Sequence, residues 1–200
     1  MAALSLVLYL LYLALAFGLR GWLQWRRTGD HGLRFGAFAA EPAERGGGVL
    51  FVLALALGLA APVLELLGAL GAVEALRVPA LGVVLALAGI AGTLHAQLAM
   101  GASWRVGVDP SERTELRTDG PFRWVRNPIF PWMIVTAAAL ALLVPNAAGL
   151  AALVALVVGM QIQVRLVEEP YLLRTHGDGY ASWAARTRRF LPGVGRLEAR

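Results

Sequence analysis

Residues 127–164 read NPIFPWMIVTAAALALLVPNAAGLAALVALVVGMQIQV, a run without one charged side chain. It is nearly twice the ~20 apolar residues that one membrane crossing requires. Pro145-Asn146 falls at its middle, and a Pro-Asn pair flanked by Ala and Gly marks a turn. The stretch therefore reads as a hairpin of two helices, Ile129–Val144 and Ala147–Val164, that returns the chain to the side it left. At ~1.5 Å per residue each arm spans slightly less than the ~30 Å hydrocarbon core. A shallow re-entrant hairpin is thus the alternative to two full crossings.

Three further uncharged blocks precede the hairpin: Met1–Leu19, Gly46–Leu64 and Val78–Trp104. Each is long enough for one span. Together they predict an all-α, multi-pass membrane bundle of about five transmembrane helices, followed by cytoplasmic amphipathic helices. Composition agrees, because 58% of residues are hydrophobic and only 16% charged, against about 25% charged in soluble domains. The organisation divides into three N-terminal spans, residues 1–104, and a C-terminal region, residues 105–200, of cytoplasmic loop, hairpin 129–164 and cytoplasmic tail.

Every basic residue is Arg, and the distribution orients the chain. Arg20, Arg26, Arg27, Arg34 and Arg45 lie between spans one and two, and Arg105, Arg113, Arg117, Arg123 and Arg126 between three and four. Arg165, Arg174, Arg186, Arg188, Arg189, Arg196 and Arg200 follow span five. Only Arg77 falls on the other side. Basic loops collect in the cytoplasm, which gives an N-terminus outside, a C-terminus inside and a location in the cell (inner) membrane. The +5 net charge is explained this way without nucleic acid. The first span lacks a basic n-region and a small-residue cleavage site, so it reads as a retained helix.

With no cysteine, disulfides, thiolate metal sites and a Cys nucleophile are excluded. Three scattered histidines suggest no metal cluster, and no dinucleotide fingerprint, Walker sequence or GxSxG is present. Gly82, Gly89 and Gly92 read as helix-packing positions. His95 and Gln97 are polar at membrane depth and so should face a partner or a cavity. Gly46–Gly48 opens a helix rather than a phosphate loop.

The remaining chemistry lies in two clusters that the hairpin must bring together, Trp104–Phe130 and Arg165–Pro192. The first contains RTDGPFRWVRNPIF, with Gly-Pro and Asn-Pro turns among arginines and aromatics. In the second, Arg165 precedes Glu168 and Glu169 by three and four residues, so a regular helix puts all three on one face. Gly177 and Gly179 should break that helix before a second amphipathic segment with Tyr180, Trp183, Phe190 and Leu191. Arg at span ends and aromatic belts also serve topology; two rigid turns facing a Glu pair exceed what an anchor needs.

The ordered set Leu116, Gly120-Pro121-Phe122, Val125-Arg126-Asn127-Pro128-Ile129-Phe130, Glu168-Glu169, Leu172, His176-Gly177, Tyr180 and Arg189-Phe190-Leu191-Pro192 resembles the C-terminal signature of the isoprenylcysteine carboxyl methyltransferase and phospholipid methyltransferase superfamily. The resemblance covers about Glu112–Pro192; the N-terminal spans contribute only hydropathy to it. It implies an integral-membrane methyltransferase with S-adenosylmethionine as cofactor, held between the two clusters. Methyl transfer is an in-line displacement, so catalysis is largely positioning and electrostatics. Carried over residue by residue, the resemblance assigns cofactor binding to Leu116, Arg117, Gly120, Phe122, Asn127, Pro128, Phe130, Glu168 and Glu169. The cofactor's own chemistry adds Arg126 for its carboxylate and an aromatic wall from Phe122, Trp124 or Phe130. Arg165 is the counterpart of an arginine associated with the methyl acceptor, and Arg165, Glu168 and Glu169 form the catalytic set.

This chain has Thr114 and Asn127 where the family has histidines, and Phe122 and Phe130 where it has tyrosines. Asn still donates and accepts hydrogen bonds but shuttles no proton. The expected acceptor is a lipophilic molecule or lipid entering from the bilayer, with a carboxylate favoured because it needs no general base; a thiol or amine would use Glu168 or Glu169. Membrane lipids are the other expected partners, and neither nucleic acid nor metal is. Two alternatives are an NADPH-dependent membrane reductase of sterol-reductase-like shape and a non-enzymatic membrane protein.

Overall fold

The computed structural model describes residues 1–33, 41–107 and 115–191. The readings that rest on Arg34, Glu112, Arg113, Thr114, Pro192, Arg196 and Arg200 lie outside the described residues. Within them the protein is helical throughout: α1 (Ala2–Leu13), α2 (Arg20–Thr28), α3 (Pro42–Leu66), α4 (Pro79–Ala99), α5 (Ile129–Leu143), α6 (Ala147–Ile162), α7 (Glu169–His176) and α8 (Asp178–Arg186). Two π-helical segments, Ala14–Leu19 and Gln163–Glu168, make α1–α2 and α6–α7 continuous.

Among the described residues four helices are long and apolar enough to cross a membrane: Ala2–Thr28, Pro42–Leu66, Pro79–Ala99 and Ala147–His176. This is a multi-pass bundle. The fifth apolar helix, α5, has only 15 residues, or ~22 Å of length. Its tip is nevertheless fixed at the far end of the bundle. Val78 N–H donates to Leu142 O (3.1 Å) and Val73 N–H to Pro145 O (2.8 Å), so the hairpin turn meets the segment linking α3 to α4. Asn146 explains why the chain turns there. Its Oδ1 accepts from Gly149 N–H at 3.0 Å, capping α6, and its Nδ2 donates to Ala61 O at 2.9 Å, tying the turn to α3. Such a cap is worth about 1 kcal/mol.

Two observed helices differ from the sequence-derived spans in a way that matters. The first does not stop at Leu19 but runs to Thr28, so Arg20 lies inside a helix rather than in a loop. The third ends at Ala99, and a 3-10 turn, Gly101–Ser103, carries the chain on to Trp104. Both changes occur at the end of the bundle that holds the two motif clusters.

Small residues set the helix spacing. α3 packs along α6 and α4 along α5. A methyl group on Gly89 would sit 2.4 Å from Thr136 Oγ1, and one on Gly92 would sit 2.3 Å from Trp132 Cδ2. The α4 glycines thus serve intramolecular packing, where dispersion and close backbone approach replace the hydrophobic drive that lipid removes. At the far end Arg77 bridges Glu65 and Glu74 at 3.0 and 2.8 Å, which accounts for Glu65 as a structural group.

Candidate functional site

The loop before α5 is held against the C-terminal segment by backbone pairing. Val125 and Arg188 form an isolated parallel bridge. Arg126 N–H donates to Arg188 O (2.7 Å) and Asn127 N–H to Arg189 O (3.1 Å). Asn127 Nδ2 donates to the same carbonyl at 3.1 Å, so this side chain works as a clamp between the motif clusters. The prediction that the hairpin brings them together is met through these bonds.

Beneath the pairing lies a buried ionic group. Arg126 is 5% exposed and Glu169 6%. Arg126 Nη2 donates to Glu169 Oε1 at 2.7 Å, while Arg189 Nε and Nη2 donate to Glu169 Oε1 and Oε2, each at 2.8 Å. Arg126 Nη1 donates to Ala184 O and Thr187 O, reaching the end of α8. The hydrogen bonds that Arg189 donates to Glu169 hold its guanidinium above its ordinary range. Glu169 accepts three charge-assisted bonds. Phe122, Tyr180, Trp183 and Ala184 pack as one cluster on the same elements.

An open-sided cavity of about 1280 Å³, its mouth included, adjoins this group. Of the predicted site residues, Leu116, Arg117, Phe122, Arg126, Asn127, Pro128, Phe130 and Glu168 line it. Gly120, Arg165 and Glu169 do not. Gly120 supplies a φ of +53° that starts the 3-10 turn Gly120–Arg123. Arg165 is exposed and bonded through Nε to Gln161 Oε1 at 2.8 Å. Trp124 is 64% exposed and takes no part in the aromatic wall.

The expected common face of Arg165, Glu168 and Glu169 is not formed. All three follow or lie in the π-helical segment Gln163–Glu168, where i→i+5 bonding takes the chain out of the 3.6-residue register. Glu168 faces the cavity, Glu169 enters the ion triad and Arg165 points outward.

Several lining residues were not assigned from sequence. Phe17, Gly47, Gly48, Phe51, Met100 and Trp104 come from the three N-terminal spans, and Gln163 and Trp183 from the C-terminal region. The N-terminal half therefore contributes walls as well as hydropathy. Gln97 meets the expectation for a polar residue at membrane depth: it lines the cavity and donates from Nε2 to Ala16 O at 3.1 Å. His95 is exposed on the other face of α4.

Four residues that line the cavity carry buried polar atoms without a hydrogen-bond partner: Gln97 Oε1, Arg117 Nε, Arg126 Nε and Trp183 Nε1. Such groups are normally satisfied. Arginines 105, 117 and 126 supply a basic lining, Glu168 an acidic one and Phe122, Phe130 and Trp183 flat apolar faces. This donor set fits a zwitterionic nucleoside. Among the described residues no His, Cys, Asp and Glu group could hold a metal ion.

A model of the phospholipid methyltransferase family matches residues 78–179, from the start of α4 into α8. Neither a curated protein nor a solved structure gave a match.

Proposed function

The chain belongs to the phospholipid methyltransferase family, and from that premise we propose that it transfers a methyl group from S-adenosylmethionine to a lipophilic acceptor. The observation that carries the reading is the set of partnerless polar atoms in a cavity lined by the family's own motif residues.

In this reading Arg117 takes the donor's carboxylate, Glu168 its ammonium, and Phe122, Phe130 and Trp183 its adenine. When bound, the donor supplies a methyl group activated by a positively charged sulfur. Arg126 has committed both terminal nitrogens to Glu169, Ala184 and Thr187, so neither is left for the donor. Glu169 acts through structure: it fixes Arg126 and Arg189, and with them the loop and α8. The catalytic set thus narrows to Glu168, which positions the donor through its ammonium rather than taking a proton from the acceptor. A carboxylate acceptor needs no such transfer and suits the arginine-rich lining.

The acceptor is a lipid or lipophilic molecule that arrives from the bilayer through the cavity mouth. The arginine distribution supports a cytoplasmic site, with the N-terminus outside and the C-terminus inside the cell membrane. Residues 105–200 form the methyltransferase-like region, completed by walls from residues 1–104. The test is incubation of protein in lipid nanodiscs with methyl-labelled S-adenosylmethionine and fractionated lipid extract. Label is expected in a lipid fraction. Absence of transfer together with NADPH-dependent reduction would replace the transferase with the reductase.

A further inference from the structure

Arg20 has no role in the site described above, and the family match begins far beyond it. Yet it is the most deeply buried charged side chain among the described residues, at 0% exposure. No carboxylate among the described residues pairs with it. Its guanidinium carbon lies 4.6 Å from the centroid of Trp104, over the ring face. Nε donates to Gln97 O at 3.3 Å, Nη1 to Gln24 Oε1 at 3.1 Å and Nη2 to Gly101 O. Gln24 in turn donates to Ala102 O at 2.7 Å.

All of these contacts converge on one short segment. Gln97 to Trp104 is where α4 ends, and Gln97, Met100, Ser103 and Trp104 all line the cavity. Gly101 has φ +61°, and a methyl group there would sit 2.9 Å from Arg117 Nη2. Gly101 is therefore held by Arg20 on one side and packed by Arg117 on the other. The π-helical segment Ala14–Leu19, which sends Phe17 into the cavity, immediately precedes Arg20. A π turn redirects the residues that follow it.

We infer that Arg20 is a positioning residue of the donor cavity: it sets Trp104 and Gly101, and through Gly101 the seat of Arg117. This rests on the reading of the cavity as a methyl-donor site. A cation at the end of a helix also stabilises its unpaired carbonyls, and a lysine would do that equally. What lysine cannot supply is the planar fork that bonds several carbonyls while stacking on a ring.

The test is calorimetric titration of S-adenosylhomocysteine into nanodisc-embedded wild type, Arg20→Lys, Trp104→Ala and the double variant. Arg20→Lys is expected to weaken binding about 10-fold, from loss of stacking and one hydrogen bond. Trp104→Ala is expected to weaken it by a similar factor. The double variant should bind more weakly than either single one but by less than the product of their penalties, because part of the Arg20 effect runs through Trp104. Affinity within two-fold of wild type for Arg20→Lys, or penalties that multiply in the double variant, overturns the inference. Gln24→Ala, which removes one partner of Arg20 and the bond to Ala102, is the milder variant should Arg20→Lys not fold; about 3-fold weaker binding is expected, and unchanged affinity counts against the inference. Acrylamide quenching of Trp104, taken as the difference between Trp104→Phe and its parent, needs no ligand. Greater accessibility in Arg20→Lys supports positioning and equal accessibility refutes it. A wild type that binds no S-adenosylhomocysteine overturns the donor reading instead, and the quenching result still decides the role of Arg20.

Discussion

Glu168 and Glu169 are adjacent in sequence and should respond oppositely to the same change. Glu169→Gln keeps the shape but removes the charge that the buried Arg126 and half-buried Arg189 guanidiniums face. The carboxylate accepts three bonds of 2.7–2.8 Å, with side-chain exposures of 8% for Glu169, 1% for Arg126 and 16% for Arg189. Gln has one acceptor oxygen and presents N–H groups to the remaining donors. Removing one partner from a buried ion pair costs about 3–5 kcal/mol. In a chain of this length that corresponds to a fall of roughly 6–20 °C in melting temperature. Glu168→Gln removes a carboxylate that lines the cavity and is absent from the triad. Its melting curve should match wild type, while affinity for S-adenosylhomocysteine should fall roughly 10- to 100-fold, the worth of one bond to a charged group. Differential scanning fluorimetry and calorimetry on both variants in nanodiscs give the comparison. If Glu169→Gln melts as wild type does and loses only affinity, Glu169 contacts the ligand and the division of labour is wrong.

Other outcomes follow from local geometry. Trp183→Phe deletes an indole N–H that is buried without a partner, so melting should be unchanged or slightly higher while ligand affinity falls several-fold, read by scanning fluorimetry and calorimetry. Gly89→Ala forces a methyl group against Thr136; overpacking of this kind costs about 1–3 kcal/mol, and a wild-type melting temperature would contradict the described packing. Asn146→Ala removes the α6 cap and the bond to Ala61, for about 1–2 kcal/mol and a matching fall in thermal midpoint.

What the sequence made legible was whatever local signals decide. The hairpin followed from the lack of charge in residues 127–164 and from Pro145-Asn146, and Asn146 makes the cap and clamp that such a turn needs. The juxtaposition of the two clusters followed from the hairpin alone. The separate fates of Arg165, Glu168 and Glu169 were hidden because a π turn leaves no composition signal, and side-chain direction depends on accumulated rotation. Arg20 was misassigned for a related reason. At a span end, Arg reads as a loop anchor, and only the helix continuing to Thr28 turns it inward. Arg189 was visible in the motif but not as a partner of Glu169, since 20 residues and a Gly-broken helix separate them. Aromatic walls from Phe17 and Phe51 had no motif to announce them, because tertiary packing alone brings the Ala14–Leu19 segment and α3 to the cavity.

The central claim is that the cavity binds the methyl donor, and a calorimetric titration of S-adenosylhomocysteine into nanodisc-embedded wild type tests it most directly. Saturable binding in the micromolar range is expected, competed by S-adenosylmethionine and weakened in Glu168→Gln. A folded protein that gives no heat with S-adenosylhomocysteine, or one in which Glu168→Gln binds as tightly as wild type, would contradict it.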